Sequence, residues 1–446
     1  MAFGAMDPKA KPVRLVDAQG EELAALLSPV SPQTFVNEHW GRKPLFVKGF
    51  AEKFKGFFDT ATFFRALASP GGAPSGHLRA SFDKKAPPPR SDAAGPVDGS
   101  QNFPIQPELA APLYDAGATI CLTEIDARVP RLKYFAAAIK RQLGHPGLVA
   151  FNAYLSGPGA GLNWHFDGRI ASTLQIEGSK KWRFSKRVAV EWPRGNAIVL
   201  SDGSARYDTA GPRAAWEEIV GPEKGQVTEV LLEPGDFLCL PAGTWHDASG
   251  GATGSLALNL AFNPIPYSFV VSELLDTLLA SDPSWRCVRP LLPRLGGEPG
   301  ETDPRALEAI AKQLEAAGDA LRSTAADGSA LVALWSSLVQ SGAPPVEIGA
   351  TSPGPVAPTD RLRVRADGNV YARTAENGSR LVVSVGAARV ELTGDAMRVA
   401  QRALATKKFD AGASVEWGAE GKTLAWSDAE KILAQLLAEG VLERTK

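Results

Sequence analysis

The segment Pro234-Gly235-Asp236-Phe237-Leu238-Cys239-Leu240-Pro241-Ala242-Gly243-Thr244-Trp245-His246 reads as a turn, a short apolar strand, a second turn and then a histidine. Short strands closed by Pro/Gly turns point to an antiparallel barrel or jelly roll. Counting back 79 residues from His246 reaches Asp167, which ends Asn163-Trp164-His165-Phe166-Asp167. Side chains two residues apart on a strand share a face. His165 and Asp167 are therefore expected to point into the barrel together, with Phe166 pointing away. His246 arrives from a distant strand or its connecting turn. The chain has only five histidines, and two of them fall in these two segments. His39, His77 and His145 have no ligand-like neighbours and read as structural or surface residues.

Two imidazoles and one carboxylate on one face of a metal leave three coordination positions open, the 2-His-1-carboxylate arrangement of non-haem Fe(II) oxygenases. The expected ligands are His165, Asp167 and His246. Chemistry of this type needs a two-electron donor, most often 2-oxoglutarate, whose far carboxylate requires a cation inside the barrel. Lys180 and Lys181 follow Gln175-Ile176-Glu177-Gly178-Ser179, and strand alternation turns only one of them inward. Trp164 and Trp245, directly before the two histidines, read as barrel packing.

Composition narrows the class. At 446 residues a single core is not expected, and two to four domains are. A 44% hydrophobic, 22% charged composition describes an ordinary globular protein. The net charge of −1 gives no global field toward nucleic acid or an anionic membrane, so neither is an expected partner. Cys121, Cys239 and Cys287 form no CxxC pair, which argues against a disulfide framework and suits a cytoplasmic location. Cys239 lies in an apolar run and reads as a buried thiol. No signal peptide or membrane span is expected from the sequence.

Along the chain, residues 13–115 form an N-terminal region of short helices and a strand that packs on the barrel. Ser31-Pro32 opens a capped helix ending near Trp40-Gly41, and Lys43 to Val47 is a strand. Ser69 to Pro104 reads as a long loop of the kind that covers a site. Residues 116–265 form the barrel, with strands at Val149–Leu155, Ser172–Ile176, Val227–Leu232, Phe237–Leu240 and Ser255–Phe262. Glu177-Gly178-Ser179 reads as a hairpin turn that returns Lys181 to Phe184 as a partner strand. Residues 266–345 are helical by their i, i+3, i+4 apolar spacing and suggest a dimerisation segment. Residues 350–446 mix strands and helices, with a winged-helix-like end at Asp428–Glu439 and Gly440-Val441-Leu442-Glu443. That helix is not basic, so a protein-contact or packing role is expected of it.

Asn152-Ala153-Tyr154-Leu155, His165-Phe166-Asp167, Gln175 to Arg183 and Leu240 to His246 together resemble the JmjC/cupin-4 oxygenases. Within them the chain is similar to the ribosomal oxygenases, which hydroxylate Arg or His side chains of ribosomal proteins. His39-Trp40-Gly41-Arg42-Lys43-Pro44-Leu45 resembles the N-terminal segment of that group. The resemblance implies a mixed α/β, β-centred fold: a double-stranded β-helix (cupin/jelly-roll) core, a helical dimerisation segment and a C-terminal winged-helix-like domain. It implies Fe(II), 2-oxoglutarate and O2 as metal, cosubstrate and oxidant. Lys180 stands in the place of the cosubstrate-binding lysine, Asn152 and Tyr154 match the pocket strand, and Asn259 is a further pocket residue. The implied partners are a protein or peptide substrate, such as a ribosomal protein, and a second copy of the chain.

One departure stands out. The family follows its His-x-Asp with an acidic and aromatic stretch, whereas this chain has Gly168-Arg169-Ile170-Ala171. Arg169 is either a surface charge or a substrate contact, and a cationic substrate would meet a like charge there. Alternatives to a protein hydroxylase are therefore a tailoring hydroxylase of a secondary-metabolite peptide or free amino acid, and a JmjC-type demethylase. From other classes come a non-oxidative metal-binding cupin and a winged-helix regulator.

Overall fold

The structure is a computed structural model that describes residues 13–18, 20–69, 77–82, 102–200, 202–207, 219–223, 225–279, 283–286, 304–341, 354–365, 370–374, 378–385, 388–418 and 422–445. Two compact units emerge, one of residues 1–263 with 342–446 and the other of residues 264–341.

The first unit is centred on a 12-stranded antiparallel sheet. Its strands are β1 (Leu45–Val47), β2 (Leu78–Ser81), β3 (Asn102–Pro104), β4 (Thr119–Leu122), β5 (Val149–Ser156) and β6 (Gly161–Phe166). They continue with β7 (Ile170–Ser185), β8 (Ala197–Val199), β9 (Ala205–Tyr207), β10 (Val227–Leu232), β11 (Phe237–Leu240) and β12 (His246–Phe262). The main path runs β1-β11-β7-β12-β5-β4-β2-β3, while β10 pairs with β7 and β6 pairs with β12 and β8. Thus β7 and β12 are the shared spine, and the strands that bear the site hang on them. Leu174, Leu258 and Leu260 are fully buried on this spine, each contributing about 1.5–3 kcal/mol of transfer free energy.

The expected hairpin at Glu177-Gly178-Ser179 is not there. Strand β7 runs unbroken through it, pairing first with β11 and then with β10. A glycine in left-handed backbone serves a turn or a bulge equally well, and here it serves a bulge. Gln175 opposes Ala257 and Glu177 opposes Leu256, which leaves Ile176 as the extra residue. The bulge resets parity. Thr173 and Lys180 are an odd number of residues apart and would face opposite ways on a regular strand, yet both line one cavity. Strand β12 is also longer than expected, because Gly250 to Gly254 continues it back to His246.

Gly178 has φ +62°, and a Cβ there would lie 2.2 Å from the Gly254 carbonyl oxygen. Gly178→Ala is expected to cost about 2–4 kcal/mol, from backbone strain plus the clash. A shifted urea midpoint measures this, and an unchanged midpoint would contradict the bulge geometry.

The stretch 69–104 is not simply a loop. It contains β2 and β3, which pair with each other, and β2 extends the sheet from β4. The alternation in Leu78-Arg79-Ala80-Ser81 is hidden by its Pro/Gly-rich flanks. The covering role read for this stretch falls largely on 70–76 and 83–101, outside the described residues, as does Cys287. Ser31 caps the first turn of its helix by accepting from the Thr34 N–H. Asp236, fully buried, accepts from the backbone N–H groups of Gly49 and Glu233 and from Lys48 Nζ, which ties the N-terminal segment to the Pro234-Gly235-Asp236 turn.

The C-terminal part of this unit has two three-stranded antiparallel sheets, Lys408–Asp410 with Arg361–Val364 and Leu442–Arg444, and Val370–Thr374 with Arg380–Val385 and Ala388–Thr393. Helices Gly394–Thr406 and Trp426–Ala438 bury Val399, Ala403, Leu433 and Leu436 in a core of their own. The second unit contains helices Tyr267–Leu279, Pro283–Arg286, Pro304–Asp327 and Ser329–Gln340. No described helix is long and apolar enough to cross a membrane.

Candidate metal centre

His165 lies one residue from the end of β6 and His246 opens β12, and the two are direct partners in the ladder. Paired residues on neighbouring strands project to the same side, and their ring centroids lie 4.2 Å apart. Asp167 follows β6 directly, and its carbonyl accepts the Gly243 N–H of the turn before His246. One ligand atom from each of His165, Asp167 and His246 falls within 4.8 Å of the others, the one such three-residue group among the described residues. Phe166 points to the opposite side, packing on Trp245 at 4.7 Å. Trp245 is buried, and its Nε1 donates to the Val220 carbonyl at 2.8 Å.

The tautomers follow from the backbone. His165 Nδ1 is 2.6 Å from the Asn163 carbonyl, and His246 Nδ1 is 2.8 Å from that of Thr244. A carbonyl only accepts, so each Nδ1 carries a proton and Nε2 is the nitrogen left to face a metal. Burial, reinforced by His165, pushes His246 down to about 4, so it stays neutral near pH 7. Burial alone would push the Asp167 carboxyl up, but the Arg169 guanidinium and the two imidazoles hold it below the usual carboxylate range. A neutral His246 and an ionised Asp167 suit a divalent cation, and the backbone-fixed Nδ1–H groups are the usual orienting partners of metal-binding histidines.

Beside the triad lies a cavity of about 410 Å³ of space that reaches solvent, lined among others by Tyr154, Thr173, Lys180, Trp182 and Asn259. Lys180 is buried, and its Nζ donates to Ser156 Oγ at 3.0 Å. Burial pushes its ammonium down to about 8. Lys181 points outward and pairs with Glu229 at 2.7 Å. The Trp182 ring stacks on His246 at 5.6 Å and 26°. Trp182 Nε1 and Asn259 Oδ1 are buried without a hydrogen-bond partner. Orphaned polar atoms beside a buried ammonium are the lining that a small, polar, anionic molecule would satisfy.

The structure brings His165, Asp167, His246, Lys180, Tyr154 and Asn259 to one cavity. Asn152 shares the strand face of Tyr154 but is spent elsewhere, its Oδ1 accepting the Glu124 N–H at 3.1 Å. Arg169 is neither remote nor fully exposed. Its guanidinium lies 3.9 Å from an Asp167 carboxylate oxygen. Ser156, the partner of Lys180, and Thr173, in the cavity lining, carry no motif that marks them in the sequence. Ser156 was findable, since it sits two residues beyond Tyr154 on the same face, whereas Thr173 reaches the cavity only because of the bulge. Of the other histidines, Nδ1 of buried His39 meets the Pro44 carbonyl at 3.2 Å, and His145 Nε2 meets that of Asn263 at 3.0 Å. Cys239 is a buried free thiol.

Residues 129–267 match the family model described as JmjC domain. YxbC of Bacillus subtilis (strain 168) is 27% identical over 270 residues, which cover 59% of this chain and 77% of that protein. Ribosomal oxygenase 1 of Gallus gallus is 28% identical over 231 residues, covering 50% of this chain. The match spans only 33% of that longer relative. Among solved structures, YcfD, a ribosomal oxygenase from Escherichia coli in complex with cobalt and 2-oxoglutarate, superposes with a TM-score of 0.51. It is 15% identical, and the superposition covers 93% of this chain and 98% of that one. At that identity the likeness concerns the fold: a mixed α/β protein built on a large antiparallel sheet.

Proposed function

We propose that this chain is an Fe(II)- and 2-oxoglutarate-dependent dioxygenase that hydroxylates a C–H of an amino-acid side chain in a protein or peptide. The observation that carries the reading is the buried, forward-facing Lys180 in the same cavity as the His165–Asp167–His246 triad. A metal-binding cupin of another chemistry has no need of a buried cation placed for a dicarboxylate. When bound, Fe(II) and 2-oxoglutarate supply O2 activation, yielding succinate, CO2 and a hydroxyl group on the substrate carbon.

His165, Asp167 and His246 hold the metal through two Nε2 atoms and one carboxylate. Lys180, steadied by Ser156, anchors the far carboxylate of the cosubstrate, and Tyr154, Thr173 and Asn259 complete its pocket. Trp182 packs on His246 and keeps that ring from turning. The bulge at Ile176 sets the Lys180 side chain on the metal's side of the sheet.

The substrate class rests on the relatives named ribosomal oxygenase and makes a ribosomal protein the first target to test. The proposed domain division is 13–115, 116–265, 266–345 and 350–446. Tyr267, Phe269, Leu314 and Trp335 are exposed apolar residues on the helical unit and support a homodimer contact there. The helices Gly394–Thr406 and Trp426–Ala438, followed by strand Leu442–Arg444, support a winged-helix-like tail. Cys121 and Cys239 are both free, which agrees with a reducing cytoplasm.

The test is succinate formation by anaerobically Fe(II)-loaded protein given 2-oxoglutarate and O2. Slow turnover without substrate is expected, and it should cease when Fe(II) is omitted. Absence of both turnover and 2-oxoglutarate binding would overturn the proposal and leave a non-oxidative cupin.

A further inference from the structure

Tyr154 opposes Ala257 on one side and Cys121 on the other, and Cys121 opposes Arg79. Side chains so paired share one face, so Cys121 and Arg79 carry on across β4 and β2 the row in which Tyr154 lines the cavity. Arg169 comes down onto the same row from the turn after β6. Its charge acts on Asp167, Tyr154 and Cys121, and Arg79 also acts on Cys121. The Arg169 side chain is 27% exposed, so it is neither a free surface group nor sealed away. Its Nε is buried and has no hydrogen-bond partner. Its acidic partner among the described residues, at 3.9 Å, is Asp167, the carboxylate assigned above to the metal.

Charge balance then decides what this cation faces in the loaded site. A divalent metal, the Asp167 carboxylate, the cosubstrate dianion and the Lys180 ammonium cancel to zero formal charge. Arg169 remains on top of that neutral set. Metal binding also withdraws Asp167 as a counter-charge for Arg169. A partly desolvated guanidinium without compensating charge is costly, and an incoming carboxylate relieves that cost while a cationic group aggravates it.

We propose that Arg169 is a specificity-determining residue that selects a substrate bearing a carboxylate beside the hydroxylated carbon, in effect an acidic peptide segment. This rests on the dioxygenase reading above and narrows its substrate class. A strongly basic segment is rejected at the same point.

The test uses fluorescently labelled random peptide pools, acidic, neutral and basic, titrated by anisotropy against the full chain loaded with redox-inert Zn(II) and 2-oxoglutarate, and with Zn(II) alone. The acidic pool should bind at least about tenfold more tightly than the basic one. Arg169→Lys should keep that order, Arg169→Gln should level it and Arg169→Glu should invert it. By calorimetry, Arg169→Gln should not weaken binding of Zn(II) or of 2-oxoglutarate. Equal or tighter binding of the basic pool, or an order indifferent to Arg169→Gln, overturns the proposal. So does loss of 2-oxoglutarate affinity in that variant, which would make Arg169 a cosubstrate anchor, or loss of Zn(II) affinity, which would make it a support for Asp167. Peptide preference needs no turnover, so failure of the dioxygenase reading in the succinate assay is a separate result.

Discussion

Asp167→Ala is expected to lose more than about a hundredfold in Fe(II) affinity and, with it, all 2-oxoglutarate turnover. Outer-sphere changes at metal sites already cost about 10–100-fold, and this change removes a ligand and its negative charge together. It also strips Arg169 of its acidic partner among the described residues, at 3.9 Å. An unpaired, mostly buried guanidinium should lower stability by about 1–3 kcal/mol in the metal-free protein, a value discounted because the pair is partly hydrated. Metal titration by calorimetry checks the first effect and urea unfolding without metal checks the second. Retention of wild-type Fe(II) affinity would remove Asp167 from the ligand set. A pairing of Asp167→Ala with Arg169→Gln should recover the stability but not the metal.

Lys180→Met is expected to separate stability from binding. The far carboxylate of 2-oxoglutarate loses its buried counter-charge, which at about 3 kcal/mol corresponds to a weakening of roughly 10²-fold in dissociation constant. The unliganded protein should instead become more stable. The folded pKa of Lys180 lies near 8, below the ordinary 10.5, so the unfolded chain binds the proton more tightly. Carrying that charge inside therefore costs stability below pH 8, and the cost fades as pH rises from 8 toward 10.5. Removing the amine should gain about 1–3 kcal/mol at pH 7 and almost nothing at pH 10.5. The same shift predicts that wild-type affinity for 2-oxoglutarate is level below pH 8 and declines above it. Calorimetry across that range, beside unfolding of the variant, measures both. Unchanged cosubstrate affinity in Lys180→Met would remove Lys180 from the anchoring role.

How far the sequence could be read depended on how local the signal was. The convergence of His165, Asp167 and His246 was legible because i, i+2 geometry fixes the first two and the Pro241 to Trp245 turn delivers the third. The outward role of Phe166 followed from the same parity. The path of β7 was not legible, because Gly178 gives a turn and a bulge the same signature. What separates them is the close approach of the Gly254 carbonyl from 76 residues away, which no local window contains. Strands β2 and β3 were hidden for a related reason: each is short, and their partners, not their own composition, make them strands. Arg169 could be read only as exposed or engaged, since its direction is set by the turn that Gly243 closes onto the Asp167 carbonyl.

That His246 and His165 are direct ladder partners bears on assembly of the molecule as well as on its chemistry. The residues they join are 81 apart in the chain, so the site does not exist until β12 has docked against β6 over the whole intervening segment. Contacts this distant in sequence are entropically expensive and form late. A bound divalent ion should therefore act as a clip on that closure, discriminating finished barrels from unfinished ones. Nascent chains short of His246 lack one of the three metal ligands, and a chelator added to the mature protein should loosen the seam between β6 and β12.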